Sequence, residues 1–130
     1  MPHMEMDHSL DPKQSLLERL GDLSKIELLN NQILCAVYIR PQKTKSGIYL
    51  SDKTIDEDRY QGKVGLLVKM GPAAFNDDNG QWFGDLSFNL HDWLVFRPSD
   101  GWSINVNGVI CRMMSDVQVK ARIASPDQVW

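Results

Sequence analysis

Short apolar segments separated by turn-forming residues run through most of the chain and predict a β-rich fold. Residues 33–39 and 63–70 are almost continuously apolar, which is typical of core strands buried on both faces. Residues 117–123 alternate apolar and polar side chains with the period of two that half-buried strands show. Residues 23–29 fit either a helical turn or a short strand, and the pattern leaves that segment open.

The turns in the second half of the chain define further strands. Asn107 and Gly108 are the dipeptide that most favours a two-residue hairpin, and they separate the apolar segments 102–106 and 109–114. Another short strand is expected at residues 92–97. Short strands joined by Gly, Pro and Asn turns, without amphipathic helices between them, predict a small all-β barrel of about seven strands.

One hairpin is expected to stand out from the barrel. Residues 75–88 contain the turn-forming sequence Asn-Asp-Asp-Asn-Gly, which is followed by Trp82 and Phe83. Aromatic side chains on a projecting hairpin are candidate contact residues, because aromatic residues are enriched among those that carry binding energy. We therefore expect Trp82 and Phe83 to contact another protein.

Length and composition fit one globular domain. The chain has 130 residues, of which 42% are hydrophobic, and this is enough to bury a single core. We divide it into an N-terminal arm (residues 1–31), a barrel (residues 32–124) and a C-terminal tail (residues 125–130). The net charge of -3 gives no overall basic field for nucleic acid or an anionic membrane. With neither a long apolar span nor a signal sequence, synthesis in a cytoplasm is expected.

A short helix is predicted within the arm. Asp11 suits the N-cap, Pro12 the first helical position, and Gln14 the position from which a capping-box side chain reaches back. Gly21 ends the helix. A helix of about nine residues is unstable alone in water, so it needs a surface to pack against.

The arm and the tail both carry apolar side chains that suit contacts with other surfaces. Leu16, Leu17 and Leu20 fall on one face of the predicted helix, which can pack either on this barrel or on a neighbouring subunit. The tail ends in Trp130. We expect both segments to be adhesive.

Candidate catalytic and metal-binding groups are scattered along the chain. His91 beside Asp92 precedes a strand at a turn, where a solvated histidine is the ordinary finding. The acidic residues 56–58 lack the glycine bend of a calcium loop. Cys35 and Cys111 lie in apolar segments and are interpreted as buried core residues. We expect no enzymatic activity, no metal and no cofactor.

A polar loop at residues 41–60 carries one isolated apolar triplet, Ile48-Tyr49-Leu50, directly after Gly47. Such a triplet costs solubility unless it contacts another surface. It either docks on a partner protein or packs back on its own barrel as an edge strand. Gly47, Ile48, Tyr49 and Leu50 are the candidate docking residues.

This loop and the strand that follows resemble those of the GroES-type co-chaperonins. Those proteins have a Thr-rich loop with a Gly-Ile-aliphatic-Leu triplet before a Gly-x-Val strand that ends in Gly, and residues 44–50, 61–64 and 70–71 are similar. Residues 91–96 and 111–117 resemble the family's Gly-Asp-x-Val-x-Phe strand and its closing Ser-x-x-Asp-Ile run. The resemblance implies the co-chaperonin β-barrel, with a docking triplet, a roof hairpin and a ring of subunits joined by terminal strands.

The amino-acid sequences of residues 57–65, 71–75 and 96–102 are similar to those of GroES-fold proteins encoded by tailed bacteriophages. The chain also departs from the co-chaperonin pattern. Tyr49 replaces a small aliphatic residue, and the predicted roof hairpin is more aromatic than a lid requires. The arm and the tail are additions.

Two non-enzymatic functions follow from these features. In the first, the protein is a bacteriophage structural subunit that binds and stabilises the virion, as a capsid decoration or another head or tail accessory protein. In the second, it is a co-chaperonin lid that caps a group I chaperonin ring. The additional apolar elements favour the virion. We expect protein partners and homo-oligomers, and neither nucleic acid nor membrane.

Overall fold

The computed structural model describes residues 11–40, 47, 49–53, 55, 57, 62–76, 83 and 86–129. The protein is built mainly from one six-stranded antiparallel sheet, so the predicted all-β class is confirmed. Helix α1 spans Pro12–Leu20, and the strands are β1 Gln32–Val37, β2 Val64–Met70, β3 Trp93–Val95, β4 Trp102–Val106, β5 Val109–Ser115 and β6 Ala121–Ile123. Their order across the sheet is β4-β5-β1-β2-β3-β6.

Strand β1 lies inside the sheet and is buried on both faces. It pairs antiparallel with β2 and with β5, so that Cys35 lies opposite Leu67 of β2. Its side chains enter two separate cores: Leu34 and Ala36 face one, and Ile33 and Cys35 face the other. A strand between two cores needs apolar residues at every position, which explains the continuous apolar segment in the sequence.

The first core, which we call the helix-side core, lies between the sheet and α1. Leu16 and Leu20 of α1 are buried in it. Ile104 of β4 and Ile123 of β6 come from opposite edges of the sheet, and both pack against this same core. Its buried members are Leu16, Leu20, Leu28, Leu34, Ala36, Tyr38, Val64, Leu66, Val68, Trp93, Val106, Val109 and Cys111.

The second core, the loop-side core, lies on the other face of the sheet. Residues between the strands cover it, because Ala74, Phe75, Phe88 and Val119 pack against it. These four side chains are partly buried, whereas full burial of a large apolar side chain in the core stabilises the fold by about 1.5–3 kcal/mol. Its buried members are Ile33, Cys35, Leu67, Leu94, Phe96 and Met114.

Helix α1 has the predicted bounds but not the predicted cap. The Asp11 side chain makes no capping hydrogen bond in the described helix, and Gln14 Nε2 instead donates to Glu18 Oε1 at 3.3 Å. Pro12 occupies the first turn, where its missing N–H removes no helical bond. Gly21 ends the helix with a positive φ of 67°.

The predicted tight hairpin is present between β4 and β5. Asn107 and Gly108 have φ of 50° and 84°, as a two-residue turn that matches strand twist requires, and Val106 pairs with Val109 across it. The Asn107 side chain also donates from Nδ2 to the Leu20 carbonyl at 2.6 Å. The hairpin thereby supplies a partner for one of the unsatisfied carbonyls at the end of α1.

The predicted strand at residues 117–123 is wrong in its first half. Asp116–Gln118 form a 3-10 helix, and only Ala121–Ile123 pair with β3. Gln118 Oε1 accepts the backbone N–H of Ser115 at 2.9 Å, so a local side-chain bond replaces the sheet ladder here. The strand expected at residues 92–97 is also shorter, at Trp93–Val95.

Residues 23–29 form neither a helix nor a strand; they contain a turn, in which the Ile26 N–H donates to Leu23 O at 3.1 Å. Most of the projecting hairpin predicted at residues 75–88, including Trp82, lies outside the described residues. No helix among the described residues is long and apolar enough to cross a membrane.

The C-terminal segment is fixed to the helix-side core by a buried polar contact. Pro126–Val129 form a 3-10 helix, and Asp127 within it is 7% exposed. Tyr38 directly follows β1, and its hydroxyl donates to Asp127 Oδ1 at 2.5 Å. The Tyr38 ring contacts Trp93 edge to face, with centroids 5.7 Å apart. This contact joins the last described segment to the centre of the sheet.

We predict that Tyr38→Phe lowers the free energy of unfolding by about 1–3 kcal/mol, because it removes a hydroxyl donor from a buried carboxylate. Chemical denaturation of the wild type and the variant measures the difference. Tyr49→Phe is the matched control, since Tyr49 is 71% exposed, and it should change stability by less than about 0.5 kcal/mol. Equal effects of the two substitutions would contradict the structural role of the Tyr38 hydroxyl.

A second prediction concerns Gly65 of β2, which lies next to the ring of Phe96. A Cβ at this position would lie 2.9 Å from both Cys35 Cβ and Phe96 Cε1. We expect Gly65→Ala to destabilise the protein by about 1–3 kcal/mol through overpacking. The cost should shrink in a Phe96→Leu background, which removes part of the ring. Additive effects in the double-mutant cycle would show that the Phe96 contact is not the cause.

Candidate partner-docking surfaces

The predicted docking triplet is described in part. Gly47 is exposed and has a φ of 92°, a conformation that favours glycine. Tyr49 forms an isolated backbone β-bridge while its side chain is 71% exposed, and Leu50 is half-buried. Ile48 lies outside the described residues. The loop thus presents one large aromatic side chain and holds the next apolar residue partly against the protein.

A helical turn follows the triplet and fixes the chain on that side. Asp52 and Lys53 are helical, and the Ile55 N–H donates to Ser51 O at 3.1 Å. Ile55 is half-buried, whereas Asp52 and Lys53 are exposed. The exposed Tyr49 is therefore followed by a backbone hydrogen bond between Ser51 and Ile55, and such a local restraint reduces the entropy lost when a side chain binds a partner.

The leucine face of α1 is not an exposed adhesive surface, and this corrects the expectation for the arm. Leu16 and Leu20 are 7% and 0% exposed in the helix-side core, and Leu17 is partly buried against the same core. From the sequence, this face could pack either on the chain's own barrel or on a neighbouring subunit. In the structure it packs on the chain's own sheet. Trp130, the other predicted adhesive residue, lies outside the described residues.

Three phenylalanine rings form a compact cluster at the base of the predicted projecting hairpin. Phe75 and Phe88 are stacked, with centroids 4.2 Å apart and an interplanar angle of 15°. Phe83 contacts both rings edge to face, at 5.3 Å from Phe75 and 5.8 Å from Phe88. Of the two predicted roof residues, Phe83 therefore packs within the chain. Aromatic pairs of this kind add about 0.5–1.5 kcal/mol beyond the area they bury.

The buried carboxylate of Asp116 holds this cluster in place. Asp116 is 3% exposed; its Oδ2 accepts the Phe75 backbone N–H at 2.8 Å, and its Oδ1 accepts Asn31 Nδ2 at 3.0 Å. Phe75 has a φ of 58°, which is costly for a bulky residue and persists only where the surroundings fix it. The Asp116 bond and the stack on Phe88 supply that restraint. Sequence reasoning missed this residue, because its partners are distant along the chain.

Arg122 of β6 closes the other side of the cluster. Its guanidinium carbon lies 4.9 Å from the centroid of the Phe88 ring, within the range of a cation–π contact. Its Nη1 donates to the Ser87 carbonyl at 2.6 Å and lies 3.5 Å from Asp92 Oδ2. The edge strand β6 is thereby connected to the segment that precedes β3.

Trp102 is a large exposed aromatic residue that sequence reasoning did not select. It is 74% exposed at the start of β4, and among the described residues β4 pairs only with β5. Its alternation with Ile104 and Val106 indicated a core-facing position, and those two residues do pack in the helix-side core. Because it lies at the end of an edge strand, opposite the half-buried Met113, Trp102 extends beyond that core.

The turn that leads into Trp102 is tightly fixed. Arg112 of β5 is 4% exposed, and its Nη1 donates to the carbonyls of Pro98 and Asp100, the latter at 2.7 Å. Burial lowers the pKa of Arg112, and the nearby Asp100 carboxylate opposes that shift. Gly101 has a φ of 75°, and a Cβ there would lie 2.7 Å from the Met113 carbonyl. Trp102 is therefore presented on a rigid backbone.

His91 and the two cysteines, considered above as candidate catalytic or metal-binding residues, lie either at an exposed turn or in the core. His91 is exposed at a turn with a φ of 77°. Cys35 and Cys111 are buried and unbridged, as predicted. Burial raises the pKa of both thiols, that of Cys111 to about 12, so both remain protonated near neutral pH. Within the described part of the chain, no group of three His, Cys, Asp or Glu residues could hold a metal ion.

Comparison of the whole chain with protein-family models and with curated protein sequences finds no match. The assignment of these surfaces to a function therefore depends on their geometry and chemistry.

We predict that Asp116→Asn lowers the free energy of unfolding by about 1–3 kcal/mol, since one of its two accepting oxygens becomes an NH₂ group that faces a donor. Hydrogen exchange of the Phe75 amide should accelerate. Asp11→Asn is the matched control, because Asp11 is exposed and makes no capping bond in α1. Unchanged exchange at Phe75 in the Asp116 variant would contradict the proposed restraint.

Proposed function

We propose that the protein is a non-enzymatic, GroES-fold bacteriophage structural subunit that binds and stabilises the virion. It would serve as a capsid decoration or as another head or tail accessory protein, after synthesis in the cytoplasm of the bacterial host. Its partners would be capsid or other virion proteins and further copies of itself. The observation that carries the proposal is the 74% exposure of Trp102 on an edge strand, directly after the turn to which Arg112 donates hydrogen bonds.

The chemistry of β4 supports a protein partner. Its sequence, Trp-Ser-Ile-Asn-Val, contains no charged residue, whereas natural edge strands usually carry charges or proline that discourage pairing. Tryptophan is also among the residues most enriched in binding hot spots. A neutral edge strand that begins with an exposed tryptophan suits the permanent contacts of a particle better than a transient encounter.

The GroES-type fold remains part of the proposal and rests on the sequence resemblance. The antiparallel sheet and the long connections between β1 and β2 and between β2 and β3 support the proposal. Fold alone does not fix function, so the exposed surfaces must decide between the two uses of such a domain.

A co-chaperonin lid is the second candidate, and Tyr49 favours it. The side chain of Tyr49 is 71% exposed at the position where the resemblance implies a docking triplet. Peptides that bind by adding an extended segment use alternate side chains for specificity, and an exposed Tyr49 beside a half-buried Leu50 fits that mode. In this function the partner is a group I chaperonin ring.

The buried leucines change how the virion proposal is best tested. Removing α1 would take Leu16 and Leu20 out of the helix-side core, so loss of particle binding after that deletion would reflect unfolding. Substitution of an exposed aromatic residue avoids this difficulty. Trp102 and Tyr49 form a matched pair, because both are large and more than two-thirds exposed.

We predict that the protein is found in purified phage particles by mass spectrometry and that Trp102→Asp reduces its copy number by about tenfold or more, as loss of a hot-spot aromatic residue of about 2 kcal/mol would. Tyr49→Asp should leave the copy number unchanged. Thermal unfolding of both purified variants checks that each remains folded.

The opposite pattern identifies the lid. Absence of the wild-type protein from particles, together with binding to a chaperonin ring that Tyr49→Asp abolishes and Trp102→Asp spares, would overturn the virion proposal. Absence from particles without chaperonin binding would reject both functions.

A further inference from the structure

A second surface, distinct from Trp102 and Tyr49, lies along the edge strand β6. A groove of about 330 Å³ is lined by Phe83, Leu86, Phe88, Val119, Lys120 and Arg122. Phe83 and Phe88 form its aromatic wall, and Leu86 is 57% exposed at its rim. A groove of this size is at the small end of ligand sites and accommodates one or two side chains rather than a large cofactor.

The charge of the groove is opposite to that of the chain. Its charged residues among those described are Lys120 and Arg122, both cations, whereas the whole protein has a net charge of -3. The Oδ2 of Asp92 lies 3.5 Å from Arg122 Nη1, and Asp92 is not among the described residues that line the groove. Such partly exposed ion pairs contribute little, so Arg122 can interact with a further carboxylate.

Contacts within the chain hold several residues of the groove and of its surroundings in place. Phe88 is stacked on Phe75, whose backbone is held by Asp116, and Arg122 donates to the carbonyl of Ser87. Binding to a preorganised surface loses less conformational entropy than binding to one that must be ordered. Its apolar wall and cationic rim therefore form a defined recognition surface.

We propose that this groove binds an acidic, apolar peptide segment of a partner protein, with an aliphatic side chain against Phe83 and Phe88 and carboxylates beside Lys120 and Arg122. The inference rests on the proposed function in that the protein acts by binding other proteins, and it specifies the chemistry of one partner segment. A cationic or purely apolar segment would not use both features of the groove.

A labelled peptide, acetyl-Glu-Glu-Leu-Leu-Glu-Glu-amide, tests the proposal by fluorescence polarisation with the full-length protein. We expect saturable binding that weakens by about tenfold in Leu86→Asp and in Lys120→Glu. Leu29→Asp and Lys25→Glu are matched controls at exposed positions outside the groove and should bind within about twofold of the wild type. Binding should also weaken as salt rises from about 0.1 M to 1 M, which shortens the Debye length from about 10 Å to 3 Å.

Three outcomes would overturn the proposal. They are no binding of the acidic peptide, equal binding of a peptide with lysine in place of glutamate, and unaltered binding by both groove variants. Sedimentation analysis supplies a fourth: if Leu86→Asp dissociates a dimer that Leu29→Asp preserves, the occupant is a second copy rather than a different protein. Measuring the copy number of the same variants in purified particles distinguishes two failures. If the wild type is in particles but the peptide does not bind, the groove proposal fails alone; if the wild type is absent from particles, the virion function fails.

Discussion

Strand β1 can be buried on both faces only if the rest of the chain supplies two covers. On one face α1 contributes Leu16 and Leu20, and on the other the segments around Phe75, Phe88 and Val119 close the core. A nine-residue helix gains its stability from this packing rather than from its own propensity. The need to cover β1 therefore determines which apolar residues the fold buries and which it leaves exposed.

The packing of these residues on β1 changes the interpretation of the apolar side chains in the arm and in the predicted hairpin. Leucines of the arm that suggested an adhesive surface belong to the fold, and Phe83 of the predicted roof packs on Phe75 and Phe88. The large aromatic side chains left exposed among the described residues are Tyr49 and Trp102. Both lie next to fixed backbone, Tyr49 before a helical turn and Trp102 after the turn held by Arg112.

Local signals predicted most of the fold, whereas contacts between distant residues were not predictable from them. The continuous apolar segments of β1 and β2, the Asn107-Gly108 turn and the bounds of α1 follow from neighbouring residues, and the structure contains all of them. Other features depend on which segments the folded sheet brings together. They are the direction of the leucine face, the burial of Asp116 next to Phe75 and the exposure of Trp102. The alternating segment at residues 117–123 was misread because a bond between Ser115 and Gln118 competes with strand pairing.

The placement of α1 within the fold of a single chain leaves other surfaces for the proposed partners. Hydrogen exchange measured on the isolated protein at low concentration tests it most directly, because amide protection reports local opening. We expect the amides of the last turn of α1, including that of Leu20, to be protected along with those of β1. Free exchange of α1 in the isolated chain, with protection gained only on particles or in oligomers, would show instead that the helix is a partner-binding arm.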